Sequence, residues 1–179
     1  MAKDFVSHTL GMSSARRILL GLCCGALAID VNSAMLATID ALGVRTAHGG
    51  LLQLLNGLVV HLTGPGAWSG AWIRATSGPA FRLAFHIGVG LAMAVFYVTV
   101  VRYWPPRGRW RNVIAYALGV WLLNAGIVLP LIGEGFAGSH TLTPAGMVGF
   151  AIAHTTFFVM VAGLFAFLSR EVVSDDARP

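Results

Sequence analysis

Charged residues are scarce in this sequence. Only 11% of its 179 residues are Asp, Glu, Lys or Arg, whereas 56% are hydrophobic, and the mean hydropathy is +0.76. A soluble domain carries about a quarter charged residues, because its surface faces water. The composition therefore excludes an ordinary soluble domain and predicts a protein whose solvent is largely lipid.

Familiar catalytic motifs are also missing. The sequence has no G-x-S-x-G elbow, no P-loop and no G-x-G-x-x-G after a strand, and its histidines never occur as H-x-x-x-H or H-E-x-x-H. These absences remove the usual signals for a serine nucleophile, a nucleotide or a protease zinc ion. They leave enzymatic activity undecided and favour a non-catalytic role.

Cysteine is limited to Cys23 and Cys24, which are adjacent and lie inside an apolar run. A vicinal pair on a helix does not easily reach disulfide geometry, and no second Cys or His pair completes a zinc finger. We predict that both are small apolar packing residues.

Four long apolar runs predict membrane spans over about residues 18–42, 81–101, 112–132 and 146–168. Each reaches the roughly 20 residues that a spanning helix needs. The start of the first run resembles a signal peptide with Ala26-Leu27-Ala28 as a cleavage site, but we expect the run to remain as a span. The fold class is therefore predicted to be all-α, an integral membrane four-helix bundle forming one transmembrane domain over residues 1–179.

Residues 49–62 are apolar but too short to span. Gln53, Asn56, Gly57 and His61 fall on one side of a helical wheel, which predicts an amphipathic or re-entrant helix between spans 1 and 2. The next stretch, residues 63–80, contains Gly-Pro and Pro-Gly pairs and is predicted to be a loop.

The positive charges lie in short clusters beside the spans. This pattern is typical of topology determinants and excludes nucleic acid as a partner, despite a net charge of +5. With the N-terminus inside, nine basic residues are cytoplasmic: Lys3, Arg16, Arg17, Arg102, Arg107, Arg109, Arg111, Arg170 and Arg178. Only Arg45, Arg74 and Arg82 are then external. We therefore predict a multi-pass protein with both termini in the cytoplasm.

Polar residues inside spans are costly and become functional hypotheses. His86 in span 2 and His154 in span 4 fall at similar predicted depths in spans that run in the same direction. Two facing imidazoles are suitable axial ligands for haem b. The alternative is that each imidazole bonds a neighbouring helix.

A second hypothesis is that the histidines form a metal site. His48, His61, His86, His140 and His154 all fall on or near the predicted outer side, where Glu134 and Asp40 add oxygen ligands. Imidazole with carboxylate suits zinc, copper or iron. His61, His140 and Glu134 are the candidates outside the haem pair, and the identity of any metal is open.

Asp30 lies near the middle of span 1, close to Asn32. We interpret it as a protonated, hydrogen-bonded anchor packed against Asn124 of span 3, or as a proton relay or ion site.

Three segments of the second half of the chain carry a resemblance: LAFHIGVGLAMAVFY, WLLNAGIVLPLIGEGFAG and GFAIAHTTFF. Through them, residues 81–168 resemble a family of small bacterial inner-membrane proteins known only as a domain of unknown function. The family's recurrent positions correspond to His86, Trp121, Pro130, Gly133, Gly135, Gly149 and His154. The resemblance implies that the protein is located in a bacterial inner membrane, and it implies no particular activity.

The leading functional expectation is an accessory or scaffold subunit of a larger membrane complex. Ala84, Gly88 and Ala92 repeat every four residues in span 2, and such small-residue faces let helices approach closely. The partners would be the lipid bilayer and other membrane subunits, or further copies of the chain. Binding of haem b or a metal through His86 and His154 is one alternative, and a small channel or transporter is another.

Overall fold

The computed structural model describes residues 12–46, 49–103 and 109–176, and these residues form helices and turns without a strand. Six helices follow one another: α1 Ser14–Ala41, α2 Gly50–Thr63, α3 Ala67–Thr76, α4 Pro79–Thr99, α5 Arg109–Leu123 and α6 Pro144–Asp176. A π-helical turn, Asn124–Val128, and a last α-helical turn, Leu129–Leu131, extend α5.

Four of these helices are long and apolar enough to cross a membrane. They comprise Ser14–Ala41, Pro79–Thr99, Trp110–Leu131 and Pro144–Ser169. The predicted spans and the predicted short helix are confirmed, with each boundary within a few residues. The protein is a multi-pass membrane protein with a four-helix bundle, and α2 stands between the first two spans.

The chain packs as two compact units, each containing part of every span. Unit 1 comprises Met1–Ser33, Gly90–Leu118 and His154–Pro179, and unit 2 comprises Ala34–Val89 and Gly119–Ala153.

In unit 1, α1 and α4 approach through small residues. A Cβ atom on Gly25 would lie 2.7 Å from the Cβ of Ala94, and one on Gly90 would lie 2.7 Å from the Cδ1 of Ile29. Gly21 and Gly25 form a G-x-x-x-G pair, the spacing that lets membrane helices meet closely without large side chains between them. Beside this contact, Cys24 is buried as predicted, but Cys23 is exposed.

Aromatic rings fill the rest of unit 1. Tyr116 packs edge-on against Phe158 with ring centroids 4.8 Å apart, and Phe158 meets Phe157 at 5.0 Å. The Tyr116 hydroxyl donates to the Met93 carbonyl at 3.2 Å, so its polar end is satisfied inside the bundle. Arg102 places its guanidinium 4.8 Å from the centre of the Phe165 ring.

In unit 2, residues 67–76 form helix α3, so the prediction of a loop over 63–80 is wrong for this part. The Gly66 amide donates to the Ser69 hydroxyl at 2.9 Å, which caps the start of the helix. From α2, the Asn56 side-chain oxygen accepts hydrogen bonds from Trp72 at 2.9 Å and Thr76 at 3.2 Å. The glycine and proline pairs therefore mark the turns at the two ends of α3.

The segment between α5 and α6 is held by a glycine-rich turn in unit 2. Gly133, Gly135 and Gly138 have positive φ angles, and so does Ala137 at 54°. The Glu134 amide bonds the Leu129 carbonyl at 2.9 Å, and the His140 amide bonds the Glu134 carbonyl at 3.0 Å. This folded-back turn closes directly over the end of the third span.

Candidate functional sites

His86 and His154, the predicted haem ligands, belong to different units. His86 in unit 2 is partly buried, and its Nε2 atom is shielded from solvent. His154 in unit 1 is also partly buried, and its ring centroid lies 5.9 Å from that of Phe158. The joint use of His86 and His154 for haem stays a prediction.

The weaker metal candidates do not assemble into a ligand set within the described residues, where no group of three or more His, Cys, Asp or Glu side chains is placed to hold an ion. The His140 ring is exposed, and its Nδ1 atom lies 3.1 Å from the Gly133 carbonyl. Asp40 accepts hydrogen bonds from the amide and hydroxyl of Thr46, at 3.0 and 2.9 Å, and so fastens the turn after α1. His8 and His48 lie outside the described residues.

A shallow groove of about 500 Å³ runs between α2 and the end of the third span in unit 2. Gln53, Gly57 and His61 line one side, and Leu131 and Ile132 line the other. The polar residues of α2 therefore have two different roles. Asn56 accepts a hydrogen bond from α3, whereas Gln53 and His61 line this groove. Its chemistry suits the polar head of a lipid above an apolar wall.

Trp121 and Asn124 present buried polar atoms at the start of the π-helical turn. The Trp121 Nε1 donor and the Asn124 Oδ1 acceptor have no hydrogen-bond partner among the described residues. Buried polar atoms usually have partners, and π-helical turns often occur at functional sites. The Trp121 ring also packs on the core of Leu36, Phe150 and Ala153.

Asp30 and Asn32 face different surroundings in α1. Asn32 is buried with 4% of its surface exposed, whereas Asp30 is exposed. The expected burial of Asp30 as an anchor on Asn124 is therefore not what the structure shows. The helix turns the carboxylate outward because Cys24, Ala28 and Ile29 occupy the inner face of this stretch.

The small-residue face predicted on span 2 is open. Ala84, Gly88 and Ala92 are all exposed, and a Cβ atom on Gly88 would meet nothing within 4 Å. The buried side of α4 instead presents Gly90 and Ala94. This inner face was not predicted, although the G-x-x-x-G spacing of Gly21 and Gly25 in α1 indicates a close contact between helices.

The candidates that are best defined are exposed helix faces and a polar groove, and all are suited to packing against helices or lipid. A comparison with protein-family models, with curated proteins and with solved structures finds no match to this sequence.

Proposed function

We propose that the protein is a non-catalytic accessory or scaffold subunit that docks to other membrane spans. The observation that carries the proposal is the open face of α4, formed by Ala84, Gly88 and Ala92. Helices gain little from the hydrophobic effect inside lipid, so they associate where small residues permit close packing. The same helix already uses this principle on its inner side, through Gly90 and Ala94.

The surroundings of Gly88 support an external partner. Phe81 is exposed on α4, with 37% of its surface accessible, and it lies seven residues before Gly88, on the same side of the helix. A second helix crossing at Gly88 would gain dispersion contacts with this ring. The face therefore combines a gap at a small residue with a bulky neighbour, which is a shape suited to a crossing helix.

The inner-membrane location and the cytoplasmic termini belong to the same proposal. The cytoplasmic termini are supported by the distribution of arginines, since Arg16, Arg17, Arg102 and Arg111 fall on the same side when the spans alternate in direction. The inner membrane is supported by the resemblance of residues 81–168 to small bacterial inner-membrane proteins. Apart from the segment that carries α2 and α3, the connections between the spans are short, so we expect the contacts with partners to lie mainly within the bilayer.

The test compares two exposed glycines in the middle of spans. Gly88→Ile fills the proposed face, whereas Gly119→Ile adds the same bulk to α5, where a Cβ atom likewise meets nothing within 4 Å. After gentle extraction, we expect native mass measurement to show a complex for the wild type and for Gly119→Ile, and a smaller species for Gly88→Ile. A wild-type particle that is a lone 18.9 kDa chain would refute the proposal.

A further inference from the structure

Asp30 is a carboxylate on the outer surface of a membrane span. Asp30 lies 13 residues after Arg17, which is roughly 20 Å along the helix at about 1.5 Å per residue. If Arg17 is at the membrane surface, Asp30 is near the middle of the hydrocarbon layer. The residue is exposed and makes no hydrogen bond or ion pair with another side chain that the structure describes. Carboxylates at this depth nearly always face the bundle interior or pair with another group. We therefore expect the partner of Asp30 to belong to another molecule.

The residues around Asp30 form a surface that a helix can approach. Cys23, Ala26 and Leu27 are exposed on the same side of α1 as Asp30, because they lie seven, four and three positions before it. Ala26 and Cys23 are small, and Leu27 is 52% exposed beside them. We call these three residues and Asp30 the Asp30 face.

We propose that the Asp30 face docks a transmembrane helix of a different protein that carries a lysine or arginine at the same depth. This inference rests on the proposed role as a subunit and names the chemistry of one partner. Charge complementarity decides the occupant, because the attraction of a cation offsets part of the cost of a carboxylate in lipid.

A second copy of this chain is a poorer occupant. In a two-fold symmetric pair the same patch meets itself, so Asp30 would face Asp30. Among the residues that the structure describes, no Lys or Arg lies at this depth, because all of them are at the ends of spans or in the segments between and after them. They are Arg16, Arg17, Arg45, Arg74, Arg82, Arg102, Arg109, Arg111 and Arg170.

The experiment uses the full chain, carrying a fluorescent protein at its C-terminus, in phosphatidylcholine vesicles. Its binding to acceptor-labelled leucine-alanine transmembrane peptides is measured by energy transfer, with lysine, leucine or aspartate at the peptide centre. We expect the lysine peptide to bind the wild type roughly tenfold more tightly than the leucine peptide. Asp30→Asn should remove this preference, and Asp30→Lys should transfer it to the aspartate peptide.

Leu118→Asn is the matched control, since it places an amide on another exposed mid-span position of unit 1 and should keep the lysine preference. Equal binding of the lysine and leucine peptides to the wild type would overturn the inference. So would Asp30-dependent association of two copies without peptide, which would assign the face to self-pairing. The proposed function is tested separately, by the mass of the native protein. If the Asp30→Asn variant still forms the native complex, the role as a subunit is retained. If the native wild-type protein is a monomer, that role is refuted, whatever the result with the peptides.

Discussion

The indole of Trp72 donates its hydrogen bond to the side-chain oxygen of Asn56, at 2.9 Å, across the turn that joins α2 to α3. The same oxygen accepts from Thr76 at 3.2 Å, so one amide holds two positions of α3. Thr76 is almost completely buried, with 1% of its surface exposed. The pair of short helices is therefore fixed by a polar contact rather than by apolar packing alone.

Replacing Asn56 with alanine should loosen α3. The change leaves the Trp72 indole N–H without its acceptor, at a cost of about 1–3 kcal/mol if no water replaces it. The Thr76 hydroxyl loses its contact with α2 but keeps the Trp72 and Ile73 carbonyls as acceptors, at 3.0 and 3.3 Å. Hydrogen exchange should become faster for the amides of residues 67–76 and remain unchanged in the spans. Thr63→Ala is the control, because the Thr63 hydroxyl bonds only its own helix and the adjacent turn; equal acceleration in both variants would contradict the assigned role.

Enlarging Gly25 should destabilise the contact between α1 and α4. A Cβ atom there would lie 2.7 Å from the Cβ of Ala94, so Gly25→Val must displace a helix, at a cost of roughly 1–3 kcal/mol. Unfolding in mixed detergent micelles, followed by circular dichroism, measures the loss. Gly163→Val adds the same side chain where no atom lies within 4 Å, and we expect a clearly smaller effect; similar losses in the two variants would argue against close packing.

Removing the polar group of Asn124 should stabilise the fold. Its Oδ1 atom is buried and has no hydrogen-bond partner among the described residues, and such a group costs about 1–3 kcal/mol. Asn124→Leu should therefore raise the midpoint of unfolding, whereas Asn124→Asp should lower it. A lower midpoint for Asn124→Leu would instead indicate that a bound water molecule or ligand satisfies the amide.

The haem hypothesis predicts a coloured protein. Purified from haem-replete cells, it should show a Soret band and sharpened visible bands on reduction, as for a b-type haem with two histidine ligands. His86→Ala and His154→Ala should each abolish or shift these bands, and His8→Ala, on the opposite predicted side of the membrane, should leave them unchanged. A colourless preparation without metal by elemental analysis would leave both histidines as structural residues.

The topology can be tested with single cysteines in a Cys23→Ser, Cys24→Ala background. A membrane-impermeant maleimide should label Gly66→Cys in intact cells after outer-membrane permeabilisation, because the turn before α3 is predicted to be external. Arg107→Cys, in the predicted cytoplasmic connection, should react only after the inner membrane is opened. The reverse labelling pattern would invert the orientation.

The spans could be predicted because lipid requires long apolar helices with their own hydrogen bonds satisfied. The side of each span that faces inward could not be predicted from the sequence. Ala84, Gly88 and Ala92 have the same four-residue spacing as Gly90 and Ala94, yet only the second set is covered by α1. That choice depends on contacts between distant segments, and the spacing of small residues is identical for an internal and an external partner.

Helix α3 escaped prediction for a related reason. Gly64, Pro65 and Gly66 before it and Gly78 after it indicated a loop, but the ten residues between Gly66 and Ser77 suffice for a helix. The contact that holds α3 comes from Asn56. The outward position of Asp30 was equally hidden, because periodicity gives the angle between residues and does not say which angle points inward.

The π-helical turn at Asn124–Val128 also has a consequence for insertions and deletions. Such a turn holds one residue more than the regular helix, so the segment beyond it is rotated by about 100° relative to an uninterrupted α-helix. With the π-helical turn in place, Leu129 points inward with 1% of its surface exposed, whereas Leu131 points outward with 66% exposed. Deleting one residue within the turn would leave a continuous helix of normal appearance but would turn Leu129 away from the core, so the chain's length at this point determines which side chains the third span buries.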